Sequence, residues 1–121
     1  MASILLVRLP GDLAEPLLDV LQAEGHCVRL TNSLESAVER GEFRILFVSG
    51  EGSDYRSVVQ ELARRRPDAA VIVVNRLPES SRWLDALELG AADYCGAPFE
   101  PVQVRWLVDG AMRGLAARAA A

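Results

Sequence analysis

The chain contains no lysine: all 13 of its basic residues are arginine. That absence removes Schiff-base chemistry and any mechanism needing an ammonium group on a flexible stem. It also excludes the GxxxxGK[ST] phosphate loop, and no GxGxxG stands in its place. Gly50-Glu51-Gly52 reads instead as a flexible turn. Histidine is almost as scarce. The single one, His26, precedes a different strand from the one that ends in Ser49, which leaves that serine without a base and excludes a hydrolase. Two cysteines, Cys27 and Cys95, are too few for a disulfide framework and are expected as small buried hydrophobes. No run approaches the ~20 apolar residues of a membrane span, and residues 1–8 lack the pattern of a secretory signal. A soluble, cytoplasmic chain with no cofactor, metal or membrane association is the expectation.

What is present fits one α/β domain. Half of the 121 residues are hydrophobic, enough for a proper core at this length. The domain is expected to span residues 1–121, with 114–121 as a fraying tail or the start of a connection. A net charge of −4 disfavours nucleic-acid binding by bulk charge. Five short runs rich in branched residues, 4–8, 27–30, 45–49, 71–74 and 93–96, alternate with helical spacing. Ile45-Leu46-Phe47-Val48 and Val71-Ile72-Val73-Val74 are apolar without alternation, the mark of strands covered on both faces. The helical stripes are Leu13, Leu17, Val20 and Leu21; Leu34, Ala37 and Val38; Tyr55, Val58, Val59 and Leu62; Leu84 and Leu87; and Val104, Leu107, Val108 and Ala111. Gly25 and Gly90 end the first and fourth helices, Asn32 or Ser33 caps the second, Pro67 limits the third and Pro101 opens the fifth. This (βα)5 order implies a parallel sheet.

The segment Ala86-Leu87-Glu88-Leu89-Gly90-Ala91-Ala92-Asp93-Tyr94, followed by Pro98-Phe99-Glu100-Pro101, resembles the receiver domain of bacterial response regulators. The likeness extends back through Pro67-Asp68-Ala69-Ala70 and covers essentially the whole chain. It implies a flavodoxin-like three-layer sandwich with strand order 2-1-3-4-5, which puts Cys27 and Cys95 on opposite edges, too far apart to bond. It also implies a cis peptide before Pro98 and a switch-aromatic role for Tyr94.

In that family two acidic residues after the first strand hold Mg2+, and an aspartate ending the third strand accepts a phosphoryl group. A Thr or Ser ends the fourth strand, and a Lys precedes the Pro-Phe pair. At the matching positions this chain has Arg8 and Leu9, Ser49, Asn75 and Ala97. A guanidinium and an alkyl chain cannot replace two carboxylates around a hard divalent cation, so aspartyl phosphorylation is not expected. Two readings of the altered site stay open. Arg8, Ser49 and Asn75, with Arg76 beside them, can hold an anionic small molecule, which would make the chain a sensor. Alternatively Arg8 closes an internal ion pair with Glu51 or Asp12, and this second reading carries more weight.

Active receivers signal through their fourth helix, fifth strand and fifth helix. Here Trp83 lies off the Leu84–Leu87 stripe, near Arg82 and Glu88, and Val102, Trp106, Asp109 and Arg113 lie off the stripe of the fifth helix. Trp is enriched at binding hot spots, although a single surface Trp also commonly folds down over a helix–strand junction. Asp93, Arg105, Asp109 and Arg113 would give such a face a mixed-charge rim suited to symmetric pairing. The expectation is a non-phosphorylatable regulatory module that binds a protein partner, a second copy or an attached output domain, with Tyr94 fixed either outward or inward.

Overall fold

The unbroken apolar runs form the strands, and the computed structural model describes residues 2–76 and 80–120, the side chains of 80–82 excepted. The elements alternate as β1 (Ser3–Val7), α1 (Gly11–Ala23), β2 (Cys27–Thr31), α2 (Leu34–Glu39), β3 (Ile45–Ser49), α3 (Tyr55–Arg65), β4 (Ala70–Asn75), α4 (Ser80–Glu88), β5 (Asp93–Gly96) and α5 (Pro101–Ala120). All neighbouring strands run parallel, in the order β2-β1-β3-β4-β5. The flavodoxin-like three-layer architecture expected from the sequence is the one observed.

Period-two alternation divides β1 between two cores. Ile4 and Leu6 point to the layer of α1 and α5, where they meet Leu13, Leu17, Phe47, Val104 and Val108. Leu5 and Val7 point to the layer of α2, α3 and α4, with Leu46, Val59, Leu62 and Ala86. Every residue of β4 is buried, as its non-alternating sequence requires. Each large side chain buried this completely contributes about 1.5–3 kcal/mol.

Local signals account for the boundaries. Ser33 caps α2, its Oγ accepting from the Ser36 N–H at 3.1 Å. Gly25 follows α1 with φ +88°, a left-handed conformation that favours glycine. Gly50 is required for a different reason: a Cβ there would lie 2.5 Å from Val73 Cγ1 and 2.9 Å from Asn75 Oδ1. The turn after β3 therefore rests directly on β4. The peptide between Ala97 and Pro98 is cis, as the resemblance implied. Beyond Gly114, α5 continues helical to Ala120 with Leu115 buried.

Two expectations are corrected. Leu84 and Leu87 do not enter the core; they are 61 % and 39 % exposed, and α4 instead meets the sheet through Ala86, which is fully buried, and the half-buried Leu89 beyond its end. A methyl group lets the helix lie close to the strands, and that rotation sends the larger leucines outward. Cys27 is exposed because β2 is an edge strand with one residue buried, whereas Cys95 is buried and its thiol is pushed up to about 12 by burial.

Arg66 is buried although it belongs to the polar run Arg64-Arg65-Arg66. Its guanidinium donates to the carbonyls of Ala37 (2.8 Å), Arg40 (3.3 Å) and Phe43 (2.7 Å), and pairs with Asp68. It satisfies the Ala37 carbonyl in α2 and the Phe43 carbonyl before β3, and adds a second donor to the Arg40 carbonyl, which also accepts from the Phe43 N–H.

Candidate functional site

Parallel strands leave their carboxyl ends together at one rim of the sheet, where α/β folds gather their functional groups. Arg8 follows β1 with φ +56°, and its backbone N–H extends the β1–β2 ladder by donating to Thr31 O at 2.8 Å. Its Nε donates to Asn32 O at 3.2 Å, and Nη1 lies 3.7 Å from Asp54. Arg8 and Ser49 share a recess of about 270 Å3 with Glu51, Asp54 and Tyr55. Ser49 Oγ accepts from the Glu51 N–H at 3.1 Å. Leu9 is half-buried against the α1–α5 core. The ion pair expected from Arg8 to Glu51 or Asp12 is not the one formed, because Arg76 takes both carboxylates.

Arg76, just past β4, is the centre of charge at this rim. Its Nε and Nη2 donate to the two oxygens of Asp12 at 2.7 Å each, and its Nη1 pairs with Glu51. Its backbone N–H donates to the other Glu51 oxygen at 2.6 Å. This fork joins α1, the turn after β3 and the end of β4. The hydrogen bond from Arg76 holds the Asp12 carboxyl below its ordinary range.

Asn75 and Ala97 adjoin one another, the Ala97 N–H donating to Asn75 O at 3.1 Å, but neither lines the recess of Arg8 and Ser49. The Asn75 side chain is buried between the Gly50 backbone and Tyr94. Its Nδ2 donates to the Tyr94 hydroxyl at 2.6 Å, while Oδ1 is buried with no partner among the described residues. Tyr94 is thereby held partly inward, against the α3–α4 core.

A second depression lies on the far side of Tyr94. This groove of about 620 Å3 runs between α4 and α5 over β5, and is walled by Trp83, Tyr94, Pro98 and Trp106. Trp83 is 47 % and Trp106 71 % exposed. Asp93 and Glu100 line the groove, whereas Asp109 and Arg113, also expected on this face, are exposed on α5 and do not line it. Arg105 turns toward α1 and pairs with Glu24 at 2.8 Å. The Arg82 side chain lies outside the described residues.

No protein-family model matches the chain, and no curated protein does either. Solved structures do. NtrX from Brucella abortus is 20 % identical with a TM-score of 0.84, over 98 % of this chain and 28 % of that one. A CheY-like response regulator receiver domain from Methanospirillum hungatei is 16 % identical with a TM-score of 0.80, over 98 % of both chains. This chain has the receiver fold. A pilus assembly-related protein from Burkholderia pseudomallei is similar too, 25 % identical with a TM-score of 0.74 over 96 % of this chain and 90 % of that one. The chain thus spans little more than a quarter of the NtrX chain and nearly the whole of the other two.

On this receiver fold, the sequence located the rim residues but missed the geometry that connects them. The Arg76 fork links residues 64 and 25 positions apart, and only the strand order brings them together. The same holds for the Asp85 carboxylate, which pairs with Arg56 and accepts from the Tyr55 hydroxyl, joining α3 to α4. Among the described residues no three His, Cys, Asp or Glu side chains cluster as metal ligands would, and no helix is long and apolar enough to cross a membrane.

Proposed function

We propose that this chain is a receiver-type regulatory module that is not switched by aspartyl phosphorylation and works by protein contact through its α4–β5–α5 face. The observation that carries the reading is the exposure of both tryptophans beside one groove, on a surface where Leu84 and Leu87 of α4 are exposed as well. A stable monomer has no use for that much uncovered aromatic and aliphatic surface. The strand rim supports the other half. Arg8 and Leu9 stand where paired carboxylates would hold Mg2+, so the donor set does not suit that ion. Ser49 stands where the aspartate nucleophile would, and Arg76 pairs with Asp12 and Glu51 while Arg8 lies against Asp54. The anionic-ligand reading draws less support, because Glu51 and Asp54 share the recess with Arg8 and oppose a second negative charge. A protein partner, a second copy or an attached output domain would all use the same face.

Two measurements test this together. Incubation with acetyl phosphate and Mg2+ is expected to leave the intact mass unchanged, and a stable phosphoryl adduct would overturn the first half. Trp106→Ala is expected to leave folding stability within about 0.5 kcal/mol of the parent, as for an exposed position with no structural duty. A loss above about 2 kcal/mol would make Trp106 a structural cover and overturn the second half.

A further inference from the structure

Both walls of the groove are indole rings, and its charged lining has one sign. Asp93 and Glu100 are the charged groups of its described lining, and no described cationic side chain lines it. Neither carboxylate forms an ion pair among the described residues, whereas several of the carboxylates elsewhere on this arginine-rich surface, though not all, do. Asp12, Glu24, Glu35, Asp68 and Asp85 each hold an arginine. Arg105, which lies beside Trp106 in sequence and could have neutralised the groove, is drawn away by Glu24. Asp93 spends one oxygen on the Tyr94 N–H at 2.8 Å and keeps the other.

Resting on the contact reading above, we infer that the groove takes a basic segment of a partner protein, one that carries arginine or lysine next to apolar side chains. The apolar side chains would lie on Pro98 and the indole faces, and the cation would sit over a Trp ring with Asp93 or Glu100 as counter-ion. Cation–π attraction and a carboxylate within one groove favour that chemistry over an acidic or neutral segment. A second copy of this chain is disfavoured as occupant. A two-fold pairing through the groove brings Asp93 and Glu100 of both copies together, and the described lining supplies no cation to either.

The test exploits the fact that the chain's only two tryptophans both line the groove. Three synthetic twelve-residue peptides of alternating charged and apolar residues, with Arg, Gln or Glu at the polar positions, are titrated against the whole protein while Trp emission is read. The Arg peptide is expected to shift the emission, and the Gln and Glu peptides to do so far more weakly. The Asp93→Asn/Glu100→Gln variant, which keeps both rings and the acceptor at position 93, should weaken the Arg peptide roughly fivefold. Sedimentation at each concentration reports self-association. An equal response to all three peptides would overturn the cationic occupant, and so would sedimentation showing copies paired through the tryptophans; either leaves the contact reading intact. Silence from every peptide also overturns it. Failure of the contact reading appears separately, as the stability loss in Trp106→Ala.

Discussion

The hydrogen bond between Asn75 and Tyr94 permits a prediction that can be worked through in energy. Asn75 is only 3 % exposed, and among the described residues Nδ2 alone of its two amide atoms has a partner. Replacing Tyr94 by Phe removes that partner and leaves the whole amide buried and unmatched, which costs about 1–3 kcal/mol. Replacing Asn75 by Leu, close to it in shape, removes the orphaned Oδ1 together with the donor. The Tyr94 hydroxyl is only part-buried and can turn to water, so the single Asn75→Leu change should lie within about 1 kcal/mol of the parent. The double variant then has no unmatched amide. It should recover most of the loss in Tyr94→Phe, giving a coupling energy of about 1–2 kcal/mol across the cycle. Urea unfolding followed by Trp emission gives all four stabilities. A Tyr94→Phe cost below about 0.5 kcal/mol, or a double variant less stable than that single one, would refute the reasoning.

Two further outcomes follow from charge and burial. Arg66→Met keeps the aliphatic stem but strips the donors from the Ala37, Arg40 and Phe43 carbonyls, and is expected to cost about 3–5 kcal/mol in urea unfolding; a cost under about 1 kcal/mol would show those carbonyls reaching water instead. With pH, burial holds the His26 imidazole below its ordinary value of 6.5, while the Arg66 hydrogen bond holds Asp68 below 3.8. Both shifts are depressions, so both stabilise the fold above the unfolded-state values and lose that contribution as protons are added. The urea midpoint should stay flat from pH 7 up to the ordinary thiol value of 9.0, above which the raised Cys95 costs stability; it should decline gently once pH passes below 6.5 and fall steeply below 3.8, with the gentle phase absent in His26→Gln. Rising stability between pH 7 and 5 would contradict this sign.

The fold was legible because its signals agree. Unbroken apolar runs, a glycine after α1, a serine cap before α2 and a proline opening α5 all point to the same alternation. The outward face of α4 was misread for a definite reason. That helix carries apolar residues around most of its circumference, of which Ala86 is buried while Trp83, Leu84 and Leu87 are exposed, and hydropathy alone ranks the leucines inward. Packing selects the alanine because it lets the helix sit nearest the sheet. At the rim, Arg8 had several carboxylates within reach in sequence terms. Which of them it met depended on Arg76, whose competing fork is visible only once β4 lies beside the turn that follows β3. The inward setting of Tyr94 likewise needed the β4–β5 register, in which Val73 is the partner of Tyr94 and Asn75 that of Gly96.

The fork of Arg76 has a consequence for how such a module can be tuned. A counter-ion anchored by a covalent stem is supplied once, at translation, and its local concentration never varies with the salts or phosphate donors of the surroundings. On the function proposed above, control over this chain would then reside in its abundance and in competition among whatever binds it, quantities set by gene expression rather than by turnover of a small ion.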